Sequence, residues 1–257
     1  CGWLGVLVDK FAPPQPGGET LGMAIWLVLP LLTTIALRFF AGDGWKDLGW
    51  KLNLKGNAKW YAAALLIYPL VTAVVLALGK MLGWISFSSF DAEAYAVGFV
   101  AALLPNLVKN FFEESVWRGY LTAKLLKTKI KDGWLYLIVG GVWSVWHLPY
   151  YLHFLPQADM YLILPVERLT FAIVAIASMI CWTVMFVELY RLTKSIWSVV
   201  LLHVVEDSLI NHLIIDGHVA IAAGKEIWIS PIAGIITSLL YLGIGMWLRQ
   251  RRVGSKM

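Results

Sequence analysis

The chain contains 257 residues, of which 60% are hydrophobic and only 14% are charged. Because soluble domains carry about 25% charged residues, this composition excludes a water-soluble enzyme. The counts of 2 cysteines, 10 prolines and 22 glycines likewise exclude a disulfide-rich scaffold, a disordered chain and a collagen-like fibre. A net charge of +5 combined with long apolar runs is typical of a polytopic membrane protein.

Seven apolar segments follow one another, each close to the roughly 20 residues that a helix needs to cross the hydrocarbon core. They cover residues 21–40, 60–82, 94–116, 133–152, 166–190, 196–215 and 227–248. Strands of a membrane β-barrel would be about half as long and would alternate in polarity, which these segments do not. We therefore predict an all-α polytopic membrane protein whose residues 1–257 form a single transmembrane helical domain. The bundle has seven transmembrane helices, or eight if the apolar stretch 1–8 is the remnant of an earlier span.

Lysine and arginine are concentrated on one side of these segments. The loops after the first, third and fifth segments and the tail after the seventh contain Lys46, Lys51, Lys55, Lys59, Lys124, Lys127, Lys129, Lys131, Arg191, Lys194, Arg249, Arg251 and Arg252. Loops 83–93 and 153–165 contain no lysine or arginine, and loop 216–226 contains only Lys225. Since basic loops stay in the cytoplasm, we expect the C-terminus there and the N-terminus outside, in the plasma membrane of a prokaryote. This alternation accounts for the net positive charge, because the basic loops orient the protein in the lipid bilayer. We therefore expect no nucleic-acid partner.

Three of the segments contain ionisable residues, which are costly inside a membrane and indicate a functional site. These residues are Glu113 and Glu114 in the third segment with Arg118 directly after it, His147 in the fourth, and His203 and Asp207 in the sixth. Glu114 and Arg118 share a helix face because they are four residues apart, as are His203 and Asp207. We expect the side chains of the three segments to meet in one polar cavity that is accessible from the cytoplasm.

Structural interpretations of the same residues stay open. Glu114 and Arg118 are also compatible with an ion pair near the membrane surface, and His203 with a helix-packing hydrogen bond. His147 lies among aromatic residues and is compatible with a packing role. We interpret Lys109, four residues before Glu113, and Glu206 as structural. The coincidence of rare residues on three separate helices favours the functional interpretation.

The three motifs resemble the CPBP family, which comprises CAAX prenyl proteases and bacteriocin-processing or bacteriocin-immunity proteins and is also called Abi. The motifs are Glu-Glu-Ser-Val-Trp-Arg-Gly-Tyr-Leu at 113–121, Trp-His-Leu-Pro at 146–149, and His-Val-Val-Glu-Asp at 203–207. The resemblance covers roughly residues 94–215, which would be the catalytic core. It implies an intramembrane endopeptidase that hydrolyses a bond of a peptide or membrane-associated protein, with or without a prenyl group.

The chemistry of peptide hydrolysis assigns roles to these residues. It needs an activated water, a stabilised oxyanion and a proton for the leaving amine. Glu113 would be the general base and His147 would hold the same water, while His203 would donate to the oxyanion. Glu114 is the weaker candidate base because it is already paired with Arg118, which would pre-organise the motif.

Asp207 departs from the pattern of those family members that have asparagine at this position. An asparagine amide can donate to an oxyanion, whereas an ionised aspartate cannot. Asp207 must therefore be protonated, orient His203, or help to bind a metal.

The family's metal dependence is contested, and the sequence leaves two mechanisms open. Glu113, His147 and His203 would make a plausible zinc site with one open position, and Asp207 could also help to bind the metal. No HExxH motif is present, and we favour a glutamate mechanism that requires no cofactor.

Two functions other than proteolysis also remain open. Buried glutamate, histidine and arginine are parts of proton-coupled transporters, although no inverted repeat is visible in this sequence. A non-catalytic family member could also keep the fold as a membrane scaffold or immunity protein.

Overall fold

The computed structural model describes residues 1–12 and 20–254, which form a bundle of helices. The helices are α1 (Gly2–Asp9), α2 (Leu21–Phe40), α3 (Ala58–Met81), α4 (Ala92–Val116), α5 (Ala123–Lys127), α6 (Asp132–Trp146), α7 (Gln157–Ile163), α8 (Arg168–Thr193), α9 (Ile196–Val205), α10 (His212–Ile215), α11 (Glu226–Ile229) and α12 (Ile235–Gly254). Three π-helical turns lie at Trp117–Thr122, Tyr150–Phe154 and Glu206–Asn211. The two short strands β1 (Ile85–Ser86) and β2 (Ala220–Ile221) pair antiparallel. The predicted all-α class is confirmed.

Five helices of the described chain are long and apolar enough to cross a membrane. They are α2, α3, the continuous helix Ala92–Lys127, α8, and the continuous helix Ile196–Ile215. The chain is therefore an integral membrane protein. The third segment continues past its charged residues as one helix, because the π turn joins α4 to α5 without a break.

The remaining two predicted segments differ in extent from the helices that form there. Segment 133–152 becomes α6, which ends at Trp146 shortly before Pro149 and the second π turn. Segment 227–248 is interrupted between α11 and α12, where Pro231 cannot continue a helix and Ser230 and Gly234 form a tight turn. The predicted boundaries 227–248 are therefore wrong at their N-terminal side.

Polar side chains cap the starts of three long helices and so determine where they begin. Thr20 accepts a hydrogen bond from the backbone nitrogen of Met23 at the start of α2. Asp91 accepts from Glu93 and Ala94 at the start of α4, at 3.0 Å each. Ser195 does the same for α9. Such caps satisfy backbone N–H groups that have no partner within the helix.

The core is built around α8, which packs against α6 on one side and α12 on the other. A small residue brings α12 close to α8: a methyl group on Gly245 would lie 2.7 Å from the backbone nitrogen of Met185. In membranes, small residues let helix backbones approach in this way and gain packing contacts. Nearby, the fully buried rings of Tyr68 and Tyr241 lie 4.7 Å apart between α3 and α12.

The basic loops lie together at one end of the bundle, where acidic side chains hold them. Buried Arg38 donates to Asp47 at 2.6 Å and to the carbonyl of Gly119 at 2.9 Å. Hydrogen bonds from Lys124 and Tyr120 hold the pKa of Asp43 below its usual value. A second cluster at this end joins three helices through Asp132, Glu188, Arg191, Arg249 and Arg252.

The loops that contain few basic residues lie at the other end. Strand pairing between β1 and β2 joins loop 83–93 to loop 216–226, and α7 packs against α10 beside them. The basic and the sparse loops thus occupy opposite ends of the bundle, as the alternation of lysine and arginine predicts.

Two of the glycines of α12, Gly243 and Gly245, test the close approach to α8. Gly245→Ala should lower the melting temperature, because the added methyl group would clash with α8. Gly243→Ala is the matched control: its methyl group would meet nothing within 4 Å, and alanine favours a helix by up to about 1 kcal/mol. Thermal unfolding in detergent compares the two variants. Equal melting temperatures would contradict this packing arrangement.

Candidate active site

All three polar motifs run directly into a π-helical turn, and the second, at 146–149, ends immediately before the turn Tyr150–Phe154. Glu113 and Glu114 lie in the last turn of α4, and Arg118 is the second residue of the π turn that follows. His203 lies in the last turn of α9, directly before the π turn Glu206–Asn211. Such turns are frequent at functional sites, because the extra residue re-aims the side chains around it.

Glu114 holds together two of the predicted site residues. Its Oε1 atom accepts hydrogen bonds from Arg118 Nη1 and from His203 Nδ1, both at 2.9 Å. Glu114 and Arg118 have no exposed side-chain surface. The Arg118 guanidinium lies over the rings of Trp143 and Phe186, at 4.0 and 4.4 Å. The ion pair predicted from the i,i+4 spacing is present, and it lies deep inside the bundle.

Trp143 connects Glu113 with His147. The indole Nε1 donates to Glu113 Oε2 at 3.1 Å, and the backbone carbonyl of Trp143 lies 2.9 Å from His147 Nδ1. Because a carbonyl only accepts, Nδ1 must carry the hydrogen, which leaves His147 Nε2 as the free nitrogen. The Trp143 ring also meets the His203 ring edge-on, with centroids 5.6 Å apart. Glu113, His147 and His203 thus each contact the same tryptophan, and their approach to one another stays a prediction.

Asp207 is held mainly by α4 and not by His203. Its Oδ2 atom lies 2.8 Å from Lys109 Nζ and 2.7 Å from Asn110 Nδ2. Asn211 Nδ2 donates to Oδ1 at 3.3 Å, whereas His203 Nε2 is 3.8 Å from Oδ2, beyond hydrogen-bond distance. The expected i,i+4 pairing of His203 with Asp207 is therefore only a loose contact.

A cavity of about 200 Å³ lies beside these residues. Its polar lining comes from His147, His203, Asp207, Lys109 and Glu206, and the remainder is largely aromatic and aliphatic. Lys109 and Glu206, which we interpreted as structural, thus line the site. Glu113 is 3% exposed. It is connected to the cavity by its hydrogen bond with Trp143, which is one of the lining residues.

The chain matches one protein family. Residues 93–209 match the family of Rce1-like proteins, described as type II CAAX prenyl endopeptidases. This match supports the CPBP, or CAAX protease, family. No curated protein matches the chain. The family match contains the three motifs and confirms the resemblance seen over roughly residues 94–215. It supports the general function of a CAAX-type intramembrane protease.

The metal ligands suggested for a CAAX-type protease are only partly gathered. Within the described residues, the trio of His203, Glu206 and Asp207 offers ligand atoms within 4.8 Å of one another. Of the suggested zinc ligands, this trio contains His203 and Asp207 but neither Glu113 nor His147. One oxygen of Asp207 is already paired with the Lys109 ammonium, so a metal ion would have to compete with that cation.

Sequence reasoning missed two residues of this CAAX-type site. Trp143 is one of 14 tryptophans, and only its place four residues before His147 distinguishes it. Asn110 carried a clearer signal, because an amide in an apolar helix segment needs a partner, which proves to be Asp207.

Trp143 and Trp117 offer a matched test of the hydrogen bond to Glu113. Trp143→Phe removes the hydrogen-bond donor to Glu113 and keeps an aromatic ring beside Arg118. Peptide cleavage should fall about tenfold or more, because a hydrogen bond to a charged group is worth ~1.5–3 kcal/mol. Trp117→Phe is the control, because the Trp117 N–H is buried without a partner among the described residues. The measurement compares the cleavage rate per folded molecule of the two variants with that of the wild type. Equal losses in both variants would assign Trp143 a packing role alone.

Proposed function

We propose that the chain is an intramembrane endopeptidase of the CAAX-protease type, which hydrolyses a peptide bond with a water activated by Glu113 and His147. The observation that carries this proposal is the double use of Trp143, whose indole N–H holds Glu113 and whose carbonyl holds His147. Glu113 Oε1 and His147 Nε2 accept no hydrogen bond from the described residues, so both are available to a water.

The proposed reaction begins with that water. Glu113 takes one of its protons, and His147 Nε2 accepts a hydrogen bond that orients it. The water oxygen attacks the carbonyl carbon, and negative charge develops on the carbonyl oxygen. Hydrogen-bond donors must already be positioned there to stabilise that charge. When the C–N bond breaks, the proton on Glu113 passes to the leaving amine. Proton, nucleophile and leaving group thus balance without an external reagent.

Glu114 and Arg118 have a positioning role in this mechanism. Glu114 Oε1 is already engaged by two donors, Arg118 and His203. Because His203 Nδ1 donates to Glu114, its Nε2 faces Asp207 and the cavity. His203 can donate to an oxyanion from Nε2 when both ring nitrogens carry hydrogen.

The proposed mechanism requires no metal, and zinc remains the alternative. The ammonium of Lys109 supports this choice, because it already neutralises the carboxylate that a zinc ion would need. If zinc bound here, His203, Glu206 and Asp207 would hold it, and it would act as a Lewis acid.

Isosteric changes of the two adjacent glutamates test the assignment. Glu113→Gln should abolish cleavage and leave the melting temperature nearly unchanged. Glu114→Gln should destabilise the protein by about 3–5 kcal/mol, because it leaves Arg118 buried without its counter-charge. Both variants are compared with wild type in detergent, by melting temperature and by cleavage of a mixed set of membrane peptides and CAAX peptides with and without a prenyl group.

The outcomes of that assay separate the mechanisms. A folded but inactive Glu114→Gln with an active Glu113→Gln would reverse the two roles. Cleavage that disappears in a strong chelator and returns with zinc would replace the metal-free mechanism. A wild-type protein that cuts none of the peptides would favour a transporter or a non-catalytic family member.

The proposed orientation places the basic end of the bundle in the cytoplasm of a prokaryote, with α6 and α12 completing seven spans. Single cysteines at Lys51 and Lys129 should be labelled only from the inside, and one at Asp159 only from the outside. The parent for these variants has Cys1 and Cys181 replaced by serine. Labelling of Lys129 and Asp159 from the same side would contradict the orientation.

A further inference from the structure

Asp207 lines the cavity of the proposed site as a hydrogen-bond acceptor. It accepts from Lys109 and Asn110 through Oδ2 and from Asn211 through Oδ1. A carboxylate with three such donors is an acceptor, and its charge would repel an oxyanion that forms beside it. A hydrogen-bond donor for that oxyanion must therefore come from another group in the cavity.

Lys109 has the position and the chemistry of that donor. Its Nζ atom is 2.8 Å from Asp207 Oδ2, and the side chain lines the cavity together with His147 and His203. An ammonium has three N–H donors, and Asp207 is its one acceptor among the described residues. Two donors therefore remain for a group in the cavity.

The distances allow Lys109 and His203 to share one oxygen atom. Lys109 Nζ is 2.8 Å and His203 Nε2 is 3.8 Å from the same Asp207 oxygen, so the two nitrogens are at most about 6.6 Å apart, the sum of those distances. An oxygen that accepts from two nitrogens at about 2.9 Å each spans up to about 5.8 Å between them. Even at that upper limit, the two nitrogens would have to approach each other by only about 0.8 Å to share one oxygen.

We infer that Lys109 is a catalytic residue that donates to the oxyanion of the scissile carbonyl and, through its ion pair with Asp207, cancels the charge that would otherwise repel it. The inference rests on the proposed endopeptidase function. During attack, the carbonyl π electrons move onto oxygen, which faces Lys109 Nζ–H and His203 Nε2. Lys109 keeps its proton throughout, and Glu113 carries the proton that the leaving amine receives.

The inference predicts the direction of the change in kcat for two substitutions and for their combination. Lys109→Met should lower kcat about 10²–10³-fold, the usual loss on removing an oxyanion donor, with little change in KM. Asp207→Asn should lower it by less than tenfold. The double variant should recover most of the loss of Lys109→Met, because the amide is a donor and no longer repels. Lys127→Met, which breaks an ion pair with Asp47 at the end of the bundle, is the control for loss of a lysine.

The measurements are kcat and KM per folded molecule of detergent-purified protein, with the melting temperature of each variant. A purely structural ion pair would give a lower melting temperature in Lys109→Met, restored in the double variant, with kcat unchanged. That result overturns the inference, as does a double variant no better than Lys109→Met. Glu113→Gln runs in parallel. If it is inactive while Lys109→Met cuts at the wild-type rate, only this inference fails; if wild type does not cut, both fail.

Discussion

The charge of Arg118, buried without any exposed surface, is the constraint on which the site depends. A guanidinium does not lose its proton, so a bundle that buries one must surround it with a counter-charge and ring faces. Glu114 supplies the charge from the same helix, and Trp143 and Phe186 supply the rings from α6 and α8. His203 shares the Glu114 oxygen from α9. Four helices are thereby held at fixed distances around one cation. The groups proposed to act on the substrate lie on these helices and are therefore held in place.

The π turns explain how adjacent residues can serve one cavity. Neighbours in an α-helix point about 100° apart, since a turn contains about 3.6 residues. Glu206 and Asp207 nevertheless both line the cavity, and they are the first two residues of a π turn. In the other motif, Glu113 and Glu114 point to different partners just before the π turn that contains Arg118. The widened turns thus aim consecutive polar side chains where regular α-helix would send one into the packing.

Local spacing predicted what lies within one helix and failed where the partner came from another. The Glu114–Arg118 pair follows from i,i+4 geometry, and it is present as expected. Lys109 is also four residues from Glu113, yet its long side chain reaches across to Asp207 on the neighbouring helix. The sequence predicted that Glu113, His147 and His203 meet, because each is too costly to expose to lipid. It did not reveal that all three contact Trp143, since one tryptophan in a tryptophan-rich sequence carries no signal of its own.

The same limit applies to the fold. Length and hydropathy located the long helices, because crossing a membrane fixes both properties. They misplaced the start of the last segment, because isoleucine and tryptophan around Pro231 keep the segment apolar while the proline and Gly234 interrupt the helix. Apolar character and helix continuity are separate requirements, and only the second depends on backbone donors.

The size of the cavity constrains any substrate of the proposed reaction. A volume of about 200 Å³ is below the roughly 300–1,000 Å³ of sites that enclose a drug-sized ligand. A substrate helix cannot react as it stands, because its carbonyls are already hydrogen-bonded and its backbone is shielded. The polar wall of His147, His203 and Lys109 can replace those lost hydrogen bonds. Substrates should therefore be cut where they are extended, at a chain end or at a break in a helix.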